Sequence, residues 1–347
     1  MRPLVVNLKK HQFFWMILAA YLFGGLFPEF GNWMRQTQIC KIHLFMQSLS
    51  INIAMILLVI VLFFSGIHAK FSSIFSSPTS LVRTVIGLCA AIIFPPFFLF
   101  IFKFFSIPFS QYELIESIFL GLAIVSAMPV AGFSTVWSQY AGGNVIFSLQ
   151  LVLFTTFLSP LFSPWVLQWM EKMISGSYAL DLHAVIAKRI GIFLLLFVIF
   201  PTVSGSLCRC VLKDLKLTSV HYIENTFLLL LCYANSTASL PKIFQQANFL
   251  FLLTVLCFSF IYCFSRFYVG NIIGWLFHYQ EDVRKSLVFG TGMSNTGSAL
   301  VLANLALSNH PRAIFVILLY DVIQLFVGLY MLSFFQNQKS ISLKINS

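Results

Sequence analysis

Charge is what this chain has least of. Asp, Glu, Lys and Arg together make up 9% of it, and only 10 of 347 residues are acidic. With 59% hydrophobic residues and a mean hydropathy of +0.91, that balance excludes a soluble domain. No polar stretch is long enough to form one beside the apolar part. Alternating ten-residue segments are also missing, which excludes a β-barrel. There is no C-x-x-C pair; the seven cysteines lie mostly in apolar runs and read as buried free thiols. The seven histidines show no ligand spacing, so no metal site and no cofactor is expected. Nucleophile–base pairs, phosphate loops and basic–aromatic interleaving are absent, so neither an enzyme nor a nucleic-acid binder is supported. The net charge of +11 is dispersed over short loops, where loop orientation explains it better.

What is there is continuous apolar sequence, rich in Phe at 41 residues. The expected class is an all-α polytopic membrane protein. Spans are predicted at about 13–27, 49–67, 81–105, 117–152 (a broken fourth helix, with the fifth running from Asn144 to about 170), 185–212, 222–240, 249–277, 286–307 and 311–335, ten helices when the broken stretch is split from the fifth. Placing the N-terminus inside puts 13 of the 21 Lys and Arg in inner segments, Arg266 among them. Both termini are therefore expected on the cytoplasmic side of the cell (inner or plasma) membrane. Glu113, Glu116, Glu224, Glu281 and Asp282 fall at span ends and read as solvated.

Two of the spans are interrupted. Between Ser117 and Val152 the apolar run breaks at Pro129, Gly132, Ser134, Thr135, Ser138 and Gln139. Proline removes a backbone donor, and freed backbone groups at membrane depth need protein or a watery cavity around them. A kinked helix with a polar loop is one reading; two half-helices flanking a binding site is the other. The second interruption is GTGMSNTG, Gly290 to Gly297, in the ninth span. The first lies in the fourth. Two five-helix halves would place breaks at positions four and nine, and an odd number of helices per half inverts the second copy. Paired breaks of this kind point to a transporter site. Ser134, Thr135, Ser294, Asn295 and Thr296 are expected to line one cavity.

The residues around these breaks carry a family likeness. MPVAGFSTVWSQYAGGNVIFSL resembles the helix 4–5 signature of the bile acid:sodium symporter family through Pro129, Ser134, Val136, Gly143, Asn144, Val145 and Ser148. FLSPLFSPWV is similar to the stretch that follows it, through Pro160 and Pro164. RKSLVFGTGMSNTGSAL resembles the helix 9 signature through Gly292, Met293, Asn295 and Gly297, and LLYDVIQLFVG the last helix through Tyr320 and Gln324. The order matches from about residue 50 to 335.

The resemblance implies two inverted repeats, 1–170 and 171–347. It implies a core over about 81–170 and 249–335 and a panel over about 13–67 and 185–240, with helices 4 and 9 broken and crossing. It implies alternating-access transport of small organic anions such as bile acids, steroids or keto acids, coupled to sodium. The implied substrate and ion site comprises Ser134, Thr135, Ser148, Thr291, Met293, Ser294, Asn295 and Thr296. The chain departs from the family at the sodium ligands. Gly290 stands for a glutamate, Ser294 and Ala90 for glutamines, Val152 for a threonine and Thr135 for an asparagine. Sodium coupling is therefore not carried over, and the proton is the other candidate. Asp321, in the last span, reads either as that proton or cation site or as a structural carboxyl bonded to a neighbouring hydroxyl. Membrane lipid is the other expected partner.

Two further classes stay open. One is a ten-helix carrier of another kind, although an arsenite permease would carry a cysteine in the fourth span and a cation–proton antiporter adjacent core carboxylates. The other is a receptor or scaffold that keeps the fold without transport.

Overall fold

The computed structural model describes residues 15–44, 47–68, 78–106, 112–174, 176, 178–180, 182–183, 190–211, 217–246, 249–307 and 309–345. Helices dominate them. In chain order they are α1 (Trp15–Leu26), α2 (Glu29–Gln36), α3 (Ile53–His68), α4 (Pro78–Ser106), α5 (Tyr112–Ala127), α6 (Ser134–Tyr140) and α7 (Val145–Glu171). There follow α8 (Ile190–Leu194), a π turn over Leu195–Ile199 and α9 (Phe200–Val211). The remainder are α10 (Leu217–Ser236), α11 (Leu240–Gln246), α12 (Phe249–Leu276), α13 (Glu281–Gly292), α14 (Thr296–Ala306) and α15 (Pro311–Ile345). Five stretches are long and apolar enough to cross a bilayer: 81–104, 145–171, 190–209, 249–276 and 311–336. Three shorter apolar helices, α1, α3 and α14, accompany them. The protein is integral to the membrane.

A hairpin, β1 (Gln38–Leu44) with β2 (Gln47–Asn52), precedes α3. The span expected from residue 49 starts at Ile53 instead. Its first residues pair as β2, and the Asn52 side chain accepts from Met55 N at 2.9 Å, capping the helix there. The predicted spans 222–240 and 286–307 begin earlier, at Leu217 and Glu281, and each is split by a turn. The starts of the spans expected at 13 and 185 lie outside the described residues.

Two sets of helices pack among themselves. In one, α3 lies against α9 and α10, with α2 on α10. In the other, α12 lies against α13, α15 and α4, α15 against α5, and α4 against α7. The α3–α9 contact is very close. A Cβ on Gly66 would sit 2.1 Å from the Thr202 carbonyl oxygen, and one on Gly205 would sit 1.9 Å from that of Phe63. Small residues of this sort bring helix backbones together where lipid gives no hydrophobic drive.

Three expectations about polar residues are corrected. Glu116 is not solvated: it is 3% exposed and ion-paired with Lys103. Glu224 pairs with His68 at 3.0 Å. Among the six cysteines whose side chains are described, all free, Cys232 and Cys263 are buried, whereas Cys40, Cys89 and Cys257 are exposed. Cys89 and Cys257 lie within membrane-crossing helices, so exposure there is to lipid.

Alanine substitution tests the close crossing. In an open helix Gly→Ala gains about 0.5–1 kcal/mol. At Gly205 the sign should reverse, with a loss of about 1–3 kcal/mol from overpacking. Gly191, whose Cβ would find only the Pro160 oxygen at 3.8 Å, is the control. Thermal unfolding in detergent should show Gly205→Ala below wild type and Gly191→Ala at or above it. Equal midpoints for the two variants would refute the contact.

Candidate functional site

Pro129 has no amide donor, and helical geometry lapses after Ala127 until Ser134 begins α6. In the second break it lapses after Gly292 and resumes at Thr296. The two gaps meet. Val130 and Ser294 form an antiparallel bridge, with Ala131 N donating to Met293 O at 3.1 Å and Asn295 N to Pro129 O at 2.9 Å. Val130 N donates to Thr155 Oγ1 at 3.1 Å. Gln324 of α15 brackets the second break: its Oε1 accepts from Ser294 N at 3.2 Å, and its Nε2 donates to Ser294 O at 3.3 Å and Thr296 Oγ1 at 3.0 Å. Beyond the bridge, Ser138 and Ser286 lie 2.6 Å apart, and Asn144 N donates to Asp282 O at 3.0 Å.

Beside the bridge is a cavity of about 110 Å³. Met293, Ser294, Asn295 and Thr296 line it from the second break, and Ala131, Gly132 and Phe133 from the first. Its polar wall also includes Tyr21 of α1, Ser65 of α3, Glu224, Asn225 and Asn235 of α10, and Asp321 and Gln324 of α15. Ser134, Thr135 and Ser148 do not line it. Ser134 is fully buried with no hydrogen-bond partner for Oγ, and Ser148 donates to Thr135 Oγ1 at 3.3 Å. Thr291 is buried in α13, its hydroxyl donating to Leu287 O at 2.9 Å.

Asp321 accepts from three donors: Tyr21 OH, Thr296 Oγ1, and Gln324 Nε2 at 2.9 Å. The bond from Tyr21 ties α1 directly to α15. Asn295, on the lining, is an N-cap; its Oδ1 accepts from Ser298 N at 3.1 Å, so the cap does not use its amide N–H₂.

Arg266 is the residue that sequence reasoning misplaced. Counted among the inner loop charges, it is instead 3% exposed within α12. That narrows the excess of inner positive charge on which the orientation rests. Its Nε donates to Thr291 O at 3.1 Å, and its Nη1 to Ser294 Oγ at 2.6 Å and Tyr320 OH at 3.1 Å. Ten residues, all uncharged and apolar but for Asn271 and two glycines, follow it before α12 ends, a signal that it is not a loop residue. Asn235 and Tyr21 were also missed. Asn235 was legible in the polar run Asn235, Ser236, Thr237 at the end of an apolar span; nothing local marks Tyr21.

The model of the Sodium Bile acid symporter family matches residues 55–246. The chain belongs to this family. No curated protein matches it by sequence. It is a transporter-type membrane protein of the symporter family.

The ion in the family's name does not suit the residues present. At Gly290 an added Cβ would meet Leu151 Cδ1 at 2.7 Å, so an apolar side chain closes the position. Val152 packs with Ala91 and Val130, and Ala90 with Phe147 and Leu151. The carbonyls of Pro129 and Met293 are engaged in the crossing, and that of Ser294 by Gln324. The one carboxylate at the second break, Asp321, is taken up by Tyr21, Thr296 and Gln324. The residues present do not fit a sodium ion.

The crossing is testable without any substrate. Val130 and Ser294 are a non-hydrogen-bonded antiparallel pair, for which Cα atoms lie about 4.5 Å apart, within disulfide range. On a background without native cysteines, Val130→Cys with Ser294→Cys should crosslink under mild oxidant and shift in gel mobility after cleavage between the two. Persistent free thiols in both would show that the breaks do not pair.

Proposed function

We propose that the chain is a secondary carrier of a small organic anion, of the bile acid, steroid or keto acid kind, working by alternating access between two inverted five-helix repeats. The observation that carries this is a pair of amide side chains, Asn235 and Asn295, on the lining of one cavity. Asn235 Oδ1 accepts from Asn304 Nδ2 at 3.1 Å, which leaves Asn235 Nδ2 buried without a partner. Asn295 is held likewise by its cap. Two N–H₂ groups on one lining suit the oxygens of a carboxylate or sulfate. The N-terminal end of α14 adds a favourable dipole. Both carboxylates on the lining are engaged within the protein, Glu224 with His68 and Asp321 with its three donors.

Alternating access would require the helices on either side of the cavity to part, and the Tyr21–Asp321 bond spans that division. We assign Asp321 as the proton-linked group. Protonation removes the charge that its donors hold, and the bond to Tyr21 weakens with it.

Flux of labelled bile acid, sulfated steroid and keto acid into proteoliposomes is the test. Uptake should follow a pH gradient and ignore a sodium gradient. Asn235→Ala and Asn295→Ala should each weaken binding about 10-fold or more, the worth of one hydrogen bond to a charged group. Accumulation driven by sodium alone would overturn the coupling. Binding without flux by the wild type would favour a receptor or scaffold, which the altered sodium ligands also suit.

A second outcome separates the two readings of Asp321. Asp321→Asn should abolish the pH dependence of flux while leaving exchange of bound substrate intact. Lower expression with an unchanged pH profile would make the residue structural.

A further inference from the structure

A guanidinium buried at membrane depth is costly unless it is paired. Arg266 lies about 15 Å from the end of α12, at 1.5 Å per residue, near the middle of a bilayer-crossing span. Among the described residues no carboxylate lies within ion-pair distance of it. Its hydrogen-bond partners are three neutral oxygens: Thr291 O, Ser294 Oγ and Tyr320 OH. The ring of Tyr262 lies 5.8 Å from the guanidinium carbon.

These oxygens share a location. Thr291 is the penultimate residue of α13, and Ser294 is inside the break that follows. A helix that stops inside the membrane leaves its last carbonyls unpaired and the negative end of its dipole uncompensated. Such half-helix ends and unwound carbonyls are where transporters hold their cations. Here a side chain from the neighbouring helix supplies the positive charge.

We propose that Arg266 is a tethered cation that fills the cation site of the broken helix, so that no free sodium is taken up there. This extends the sodium-independent part of the proposed function. It accounts for two observations together: a buried arginine with only neutral oxygen partners, and a break whose own residues cannot hold sodium. Arg266 does not line the cavity, and it meets the site through Ser294, so it acts as a positioning residue. Its planar fork holds the carbonyl end of α13 and the Ser294 hydroxyl in one arrangement. Gln324 fixes the peptide of the same serine from the other side.

The test reads thermal stability of the full-length protein in detergent, so it stands or falls apart from whether any anion is transported. Wild type in sodium chloride and in choline chloride at equal ionic strength should unfold at the same temperature. Arg266→Ala should unfold well below wild type. Millimolar methylguanidinium should raise its midpoint by about 2 °C or more, and sodium by less, because the vacated oxygens now accept a free cation. Methylguanidinium should leave wild type unchanged. Arg266→Lys keeps the charge without the fork and should fall between the two. A sodium-stabilised wild type would overturn the proposal, because the site would then take a free ion with Arg266 present. So would an Arg266→Ala protein that neither methylguanidinium nor sodium stabilises, since that marks an ordinary packing role. If Arg266→Ala does not fold, the wild-type sodium comparison and Arg266→Lys decide. A lysine variant no more stable than the alanine one would refute a role for the charge.

Discussion

A backbone group inside a bilayer must find a partner within the protein, because lipid offers none. Two interruptions in otherwise apolar helices would each leave such groups exposed. They resolve this by meeting. The two amide–carbonyl bonds across Val130 and Ser294 make a minimal antiparallel ladder, and Thr155 and Gln324 take up neighbouring groups from the flanking helices. The position of α6 against α13, and of α15 against the second break, follows from this pairing. So does the cavity, which opens where neither chain can continue as helix.

The same crossing gathers the buried charge. Arg266 reaches Ser294 from one side, and Gln324 links Ser294 and Thr296 to Asp321 on the other. The cation and the carboxylate are joined through neutral groups and not to each other. In a low-dielectric interior a chain of this kind polarises along its length and resists loss of any one member. Asp321 of α15 then meets Tyr21 of α1, a helix whose Gly24 packs on Tyr233 and Ser236 of α10, so this polar chain joins the two packed sets.

The family's sodium chemistry and this chain's residues diverge at one level only. The local geometry of the breaks is set by Pro129, which lacks an amide donor, and by the Asn144 and Asn295 caps. Where the family resemblance implies oxygen ligands, this chain has apolar contacts, Leu151 over Gly290 and Val152 against Ala91. The crossing itself is held by backbone bonds between the two breaks, with Gln324 and Thr155 on its flanks.

Sequence alone determined the membrane class, most helix positions and both breaks. These are properties of short windows: twenty apolar residues, or a proline and clustered glycines inside them. Asn295 was legible as a polar residue in such a break, and its capping role follows from local geometry. Tertiary structure decided what each polar residue faces. Arg266 and Lys103 look alike in sequence, each a basic residue near apolar runs; one is held by a half-helix end and the other by Glu116. Tyr21 and Asp321 are 300 positions apart, and no local pattern could have joined them. Ser134 and Thr135, which look like part of the break in sequence, open helix α6 and do not line the cavity. A window of sequence sets where the chain must bend; the partner that relieves the bend comes from elsewhere in the fold.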